Sequence, residues 1–139
     1  MFVDFAIGNR SYGSKGPRRA PTADDPEPRP DFKWNVFIRC AEHFYQNQIH
    51  LMIQKVKMTL HHPSYKKPRV IEGKLDVSFE TSGRNNRPFL IEIEVFWREC
   101  FKKKNYIHKH FLELGWYVHP QIVTIPFKKS IFDEKVNII

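Results

Sequence analysis

Cysteine is scarce in this chain: Cys40 and Cys100 are its only two among 139 residues. Two thiols cannot build a disulfide framework, and these lack the Cys-x-x-Cys spacing of zinc or redox sites. Long apolar runs are missing too. None approaches the ~18 residues needed to span a bilayer, so no membrane partner is expected. Met1-Phe2-Val3-Asp4-Phe5 has neither the basic flank nor the apolar stretch of a secretory leader, which points to an intracellular chain. A Gly-rich phosphate loop, a nucleophile elbow and a Cys/His pairing are all absent. An enzyme reading therefore has nothing to rest on, and no cofactor is expected.

What is present is basic. Lys and Arg number 23 against 15 Asp and Glu, a net charge of +8, which suits an acidic partner or the neighbourhood of a nucleic acid. The length predicts one domain over residues 1–139 with an ordinary buried core. Residues 13–30 hold five of the ten prolines and no large apolar side chain. Burial cannot offset the ordering entropy of such a segment, so it reads as a flexible loop or linker.

Beyond it the texture changes to period-2 alternation. Trp34, Val36, Ile38 and Cys40 share one face of a predicted strand, as do Val56, Met58 and Leu60 in the run 55–60. Residues 41–54 stay ambiguous, with a short helix as one reading. Leu75–Glu80 alternates again, and Thr81–Pro88 is dense in loop formers. The clearest strand is 89–97, with Phe89, Ile91, Ile93, Val95 and Trp97 on one face and Glu92 and Glu94 on the other. Two carboxylates on an outward strand face read as solvated, not as an acid/base pair. Apolar runs at 111–118 and 121–127 complete the pattern. Short strands at regular spacing, without a long amphipathic helix, predict an all-β antiparallel sandwich.

Strand parity bears on the thiols. Cys40 falls on the inward face, whereas Cys100, if the last strand continues, falls on the face of Glu92 and Glu94; two free thiols are expected. A metal site built from His61, His62, His108 and His110 would lack a carboxylate or cysteine at ligand spacing. Adjacent histidines also fit a single ion poorly, so no metal is assigned. Lys102-Lys103-Lys104 reads as a solvated loop or as a contact for an acidic partner or a DNA backbone.

Several stretches, in order, resemble a known family. Ile7-Gly8-Asn9-Arg10-Ser11, Lys33-Trp34-Asn35-Val36-Phe37-Ile38-Arg39, Lys55 through Leu60-His61-His62-Pro63-Ser64-Tyr65, and Phe79-Glu80-Thr81-Ser82-Gly83 with Phe89–Trp97 are similar to the strand and loop motifs of YEATS domains. The resemblance runs from about residue 5 to 97 and more loosely to 126. It implies an immunoglobulin-like β-sandwich whose loops at one end read acylated lysine on histone tails. An acyl-lysine presents a flat, uncharged amide that stacks between aromatic rings. Its carbonyl needs a hydrogen bond when buried. By resemblance Tyr65 supplies a ring, Ser64 the hydroxyl, and His61 or His62 the wall. An unbroken His-Pro-Ser-Tyr favours His62. Ser82, Gly83 and Arg84 form the facing loop. There the family has an aromatic after the glycine and this chain has Arg84, whose planar guanidinium could cover the pocket by stacking.

Three readings follow. The first is a non-enzymatic acyl-lysine reader of the nucleus, binding acylated histone-tail peptides within a chromatin or transcription complex. The second is a scaffold subunit of the same fold with a degenerate pocket. The third is a basic nucleic-acid-binding module, with DNA backbone contact through its basic surface, which requires the lysines and arginines to gather on one face.

Overall fold

The computed structural model describes residues 1–13, 32–114 and 119–136. The proline-rich segment, apart from Gly13, lies outside them, as does the end of the 111–118 run. Eight strands dominate: β1 (Phe2–Gly13), β2 (Phe32–Cys40), β3 (Ile53–Leu60), β4 (Arg69–Glu72), β5 (Phe79–Asn85), β6 (Leu90–Trp97), β7 (Tyr106–Phe111) and β8 (Gln121–Pro126). They form two four-stranded antiparallel sheets, ordered β5-β2-β1-β8 and β4-β3-β6-β7. This is the β-sandwich that the alternation predicts.

The alternating faces meet between the sheets. Trp34, Val36 and Ile38 of β2, Val56, Met58 and Leu60 of β3, and Ile91, Ile93 and Val95 of β6 are all buried. In register, Val56 lies opposite Val95 and Met58 opposite Ile93, so one inward row continues across the sheet. On the outer side of this sheet Lys57 lies opposite Glu94, which also accepts from Asn105 Nδ2 at 3.3 Å. The carboxylates at 92 and 94 are thus a half-exposed, charge-balanced face.

Residues 41–54 hold the short helix foreseen as one reading. A 3-10 segment, His43–Gln48, leads into α1 (Ile49–Met52), which buries Ile49 and Met52. With α2 (Lys129–Lys135) it closes the end of the sandwich where β2 stops and β3 starts. Phe132 of α2 meets Tyr45 edge-on at 5.5 Å and Phe127 at 5.7 Å.

Two expectations are corrected. Of Leu75–Glu80 only Phe79 and Glu80 are strand; the rest is a turn in which Val77 N–H donates to Lys74 O at 3.2 Å and Asp76 takes a left-handed φ of 63°. Leu75 and Val77 are exposed, because their apolar alternation has no sheet to cover. Conversely, Thr81–Asn85 is strand and not loop, paired with β2 from Thr81↔Val36 to Asn85↔Phe32. Backbone pairing to a well-formed neighbour overrides the loop propensity of these residues.

Both thiols are free, Cys40 buried and Cys100 partly so. The strand does not run on to Cys100. It ends at Trp97, after which Arg98 donates to His50 O at 2.9 Å and Gly73 O at 2.8 Å, and Cys100 falls in a single 3-10 turn. Burial pushes the Cys40 thiol up to about 12, beside the charge of Glu42, so it stays protonated and inert.

Candidate functional site

At the end of the sandwich away from the helices, β3 runs into the turn His61–Tyr65. His61 N–H donates to Leu90 O at 2.9 Å, His62 N–H to Leu60 O at 2.9 Å, and Tyr65 N–H to His62 O at 2.9 Å. These bonds tie the turn to β6 and fold it back under Tyr65. Ser64 N–H donates to His62 Nδ1 at 3.1 Å, so the neutral imidazole carries its proton on Nε2.

Four aromatic rings gather here. His62 lies 5.1 Å from the Phe89 ring and 5.7 Å from Tyr65; Tyr65 and Phe89 stack at 5.8 Å and 30°. Trp34 presents an edge-on arrangement to Phe89 at 5.8 Å and to Tyr65 at 6.2 Å. Such offset and edge-on pairs are the favoured aromatic geometries. Phe89 and Trp34 are buried, while His62 and Tyr65 are half-exposed. The cluster therefore has a rigid floor and an accessible rim.

The β5 strand forms the opposite wall. Asn85 Oδ1 accepts from the Tyr65 hydroxyl at 2.8 Å and from Trp34 Nε1–H at 2.9 Å, joining both polar tips at one atom. Gly83 lies flat on the Trp34 indole, and a Cβ there would overlap that ring and stand 2.7 Å from the Tyr65 hydroxyl. Only glycine permits this close approach. From β4, Arg69 Nη1 donates to Thr81 Oγ1 and Ser82 O, each at 2.6 Å, and its guanidinium carbon lies 5.1 Å from the Tyr65 ring centroid. One side chain thus bridges the edges of both sheets and covers part of the tyrosine.

The sequence candidates divide. His62, Tyr65 and Gly83 come together, with Ser64 exposed in the same turn. His61 is exposed and belongs to the cluster only through its backbone. Because β5 alternates, Ser82 and Arg84 project from the face opposite Gly83. Asn35 Nδ2 donates to Ser82 Oγ at 3.0 Å on that outer face, where Arg84 pairs in register with Lys33. Arg84 does not reach the Tyr65 ring. Sequence reasoning missed Asn85 and Arg69, and assigned Phe89 and Trp34 only to the core. Reading 79–85 as a strand would have placed Asn85 on the side of Gly83 by parity.

His108 and His110 form a separate cluster between the sheets. His110 Nε2–H donates to Asn9 Oδ1 at 2.7 Å; the same oxygen accepts from Glu113 N–H at 3.0 Å, and Asn9 Nδ2 donates to Glu113 O at 2.7 Å. Burial, with the neighbouring His108, pushes the His110 imidazole down to about 4, and burial lowers His108 as well. Among the described residues no group of three or more His, Cys, Asp or Glu could hold a metal ion.

An antiparallel β-sandwich of two four-stranded sheets, with an aromatic cluster at one loop end, is an immunoglobulin-like architecture. The YEATS family model matches residues 29–116, more than half of the chain, so the chain belongs to the YEATS family. Among solved structures, the chain is similar to the yeast AF-9 homologue Yaf9 at 21% identity and a TM-score of 0.72, over 96% of this chain and 84% of that one. It is similar to the Yaf9 YEATS domain bound to H3K27ac at 21% identity and a TM-score of 0.69, over 96% and 91%. For the Yaf9 YEATS domain recognizing an H3K122suc peptide the values are 20%, 0.67, 96% and 90%. Comparison with curated protein sequences gives no match.

Proposed function

We propose that the chain is a reader of acylated lysine in histone tails, acting without catalysis as a nuclear subunit of a chromatin or transcription complex. The observation that carries this reading is the half-exposed His62–Tyr65 rim over Phe89 and Trp34, faced by Gly83. An uncharged amide would lie against the Tyr65 ring, with the exposed Ser64 hydroxyl donating to its carbonyl. Unmodified lysine would bring an ammonium beside Arg69 and lose water in doing so. The reading is further supported by family membership and by the fold shared with Yaf9, whose YEATS domain binds H3K27ac and recognizes an H3K122suc peptide.

Titration of acylated and unmodified histone H3 peptides against wild type and two variants tests it. Tyr65→Ala removes a stacking surface worth about 1 kcal/mol beyond its area. Ser64→Ala removes a hydrogen bond to a buried carbonyl, on the order of 1–3 kcal/mol. Wild type is expected to prefer the acylated peptide, and both variants to lose that preference while remaining folded. Equal affinity for both peptides in all three proteins would overturn the reading.

One observation favours a second reading. The Tyr65 hydroxyl is bonded to Asn85 and covered on its ring by Arg69, which narrows the space between the two walls. If that closure persists in solution, the loop end is a structural element of a scaffold subunit, and no acylated peptide binds at this face.

A further inference from the structure

The outer face of the β5-β2-β1-β8 sheet points away from the aromatic cluster, and nothing above gives it a role. Cross-strand register sets its cations in three rows. Arg84, Lys33 and Tyr12 lie side by side on β5, β2 and β1; Arg10 lies opposite Asn35 in the next row; Arg39 lies four residues further along β2, opposite Ala6. At about 3.3 Å per residue the rows span about 20 Å. Between them stands Phe37, with the guanidinium carbons of Arg10 and Arg39 at 5.1 and 4.8 Å from its ring centroid. Stacking of this kind holds each guanidinium plane and leaves its edge donors free for an oxyanion.

These four cations are exposed and, among the described residues, none of them forms an ion pair. Two carboxylates share the face without forming an ion pair with these cations, which outnumber them. Asp4, one outward position beyond Ala6, accepts from Thr124 Oγ1 at 2.5 Å. Glu80 lies opposite Phe37 and lines the same hollow as Arg10 and Arg39. The outer face of the other sheet is built differently, with Lys57 opposite Glu94 and Lys109 opposite Glu92. The cationic face is also concave. A hollow of about 560 Å³ lies over Phe37, Arg10 and Arg39, and another of about 390 Å³ lies between Tyr12, Lys33 and Arg84 and reaches Trp34 and Gly83. Tyr12 is 55% exposed.

We propose that this face is a platform for a single-stranded nucleic acid, with backbone phosphates on Arg39, Arg10, Lys33 and Arg84 and one base stacked on Tyr12. Unpaired cations along a concave sheet with an exposed ring are the combination that single strands use: charge tracks the backbone, and any base offers a π-face. An acidic peptide would use the cations and have no need of the ring. The platform does not require the acyl-lysine reading: Arg10, Arg39 and Phe37 lie away from the aromatic cluster, and only the second hollow reaches its edge at Trp34 and Gly83.

The test is fluorescence anisotropy with a labelled oligothymidylate and a labelled oligouridylate, each at several salt concentrations. Arg10→Gln/Arg39→Gln is expected to weaken binding about tenfold and to lower the log–log salt slope by about 1.4, two phosphates at roughly 0.7 each. The charge-matched Lys57→Gln/Lys109→Gln should stay within about twofold. Tyr12→Ala should lose at least about fivefold through stacking. Thermal melts identify any variant that fails to fold, and Lys33→Gln/Arg84→Gln then carries the same comparison. Equal losses on both faces would overturn the proposal. So would tighter binding of duplex DNA than of either oligonucleotide with Tyr12→Ala silent, or polyglutamate competing as well as they do.

Discussion

His62 and His110 sit in two clusters of similar composition whose environments differ. Around His62 the polar atoms face outward: a half-exposed imidazole and tyrosine rest on buried Phe89 and Trp34, with the tyrosine hydroxyl anchored to Asn85. Around His110 they face inward, where Asn9 joins the two sheets by accepting from the imidazole and from Glu113 N–H and donating to Glu113 O. The first arrangement keeps an apolar surface within reach of a ligand. In the second, Asn9 satisfies the His110 Nε2–H and both backbone groups of Glu113, so these buried groups are paired with one another. Histidine next to an aromatic therefore says little about role until its surroundings are known.

The contrast breaks most sharply at Asn9, which is 2% exposed. Asn9→Leu leaves His110 and both backbone groups of Glu113 without this partner, and a loss of about 3 kcal/mol in unfolding free energy is expected by urea denaturation. Peptide affinity, measured where the variant is folded, should hardly change. A loss of affinity without loss of stability would mean that the inner cluster is part of the site.

Acid should act on the same inner cluster. The folded His110 titrates near 4 and the unfolded one near 6.5, so the unfolded state binds more protons between these values. Stability from this group is complete above about pH 6.5 and falls as pH drops toward 4, on the order of 2–3 kcal/mol in all. His108, lowered by burial in the same strand, adds in the same direction. The urea midpoint should fall between pH 7 and pH 4.5, and His110→Gln should flatten that fall. An unchanged slope in the variant would assign the acid sensitivity elsewhere.

The smallest effect sharpens the outer cluster. Tyr65→Phe keeps the ring and removes the bond to Asn85, with an expected stability loss of about 1 kcal/mol or less. Affinity for the acylated peptide should stay within about twofold if the rim is already open. A clear gain would show that the hydroxyl bond holds the rim shut, in favour of the scaffold reading.

Strand by strand, the fold was legible where the inward side chains are apolar. Trp34-Val36-Ile38, Val56-Met58-Leu60 and Ile91-Ile93-Val95 mark three strands and their buried faces. The β5 strand escaped notice because its inward positions after Phe79 are Thr81, Gly83 and Asn85, chosen for what they meet at the loop end and not for burial. Leu75 and Val77 erred in the opposite direction, apolar alternation with nothing to cover. The turn 61–65 reads as a candidate site because His, Ser and Tyr together exceed what a turn needs. Arg84 was misread because adjacency to Gly83 in the chain suggests a shared surface, whereas strand geometry sends neighbours to opposite faces.

By itself, then, the sequence determined the alternating faces of β2, β3 and β6 and the family motifs, since each depends on spacing within one stretch of chain. Pairing decided the rest. That Asn85 receives both Trp34 and Tyr65, that Arg69 spans the sheet edges, and that Arg10 and Arg39 flank Phe37 are relations between separate strands. A local period carries no information about which strand lies alongside, so these meetings exist only once the sheets have formed.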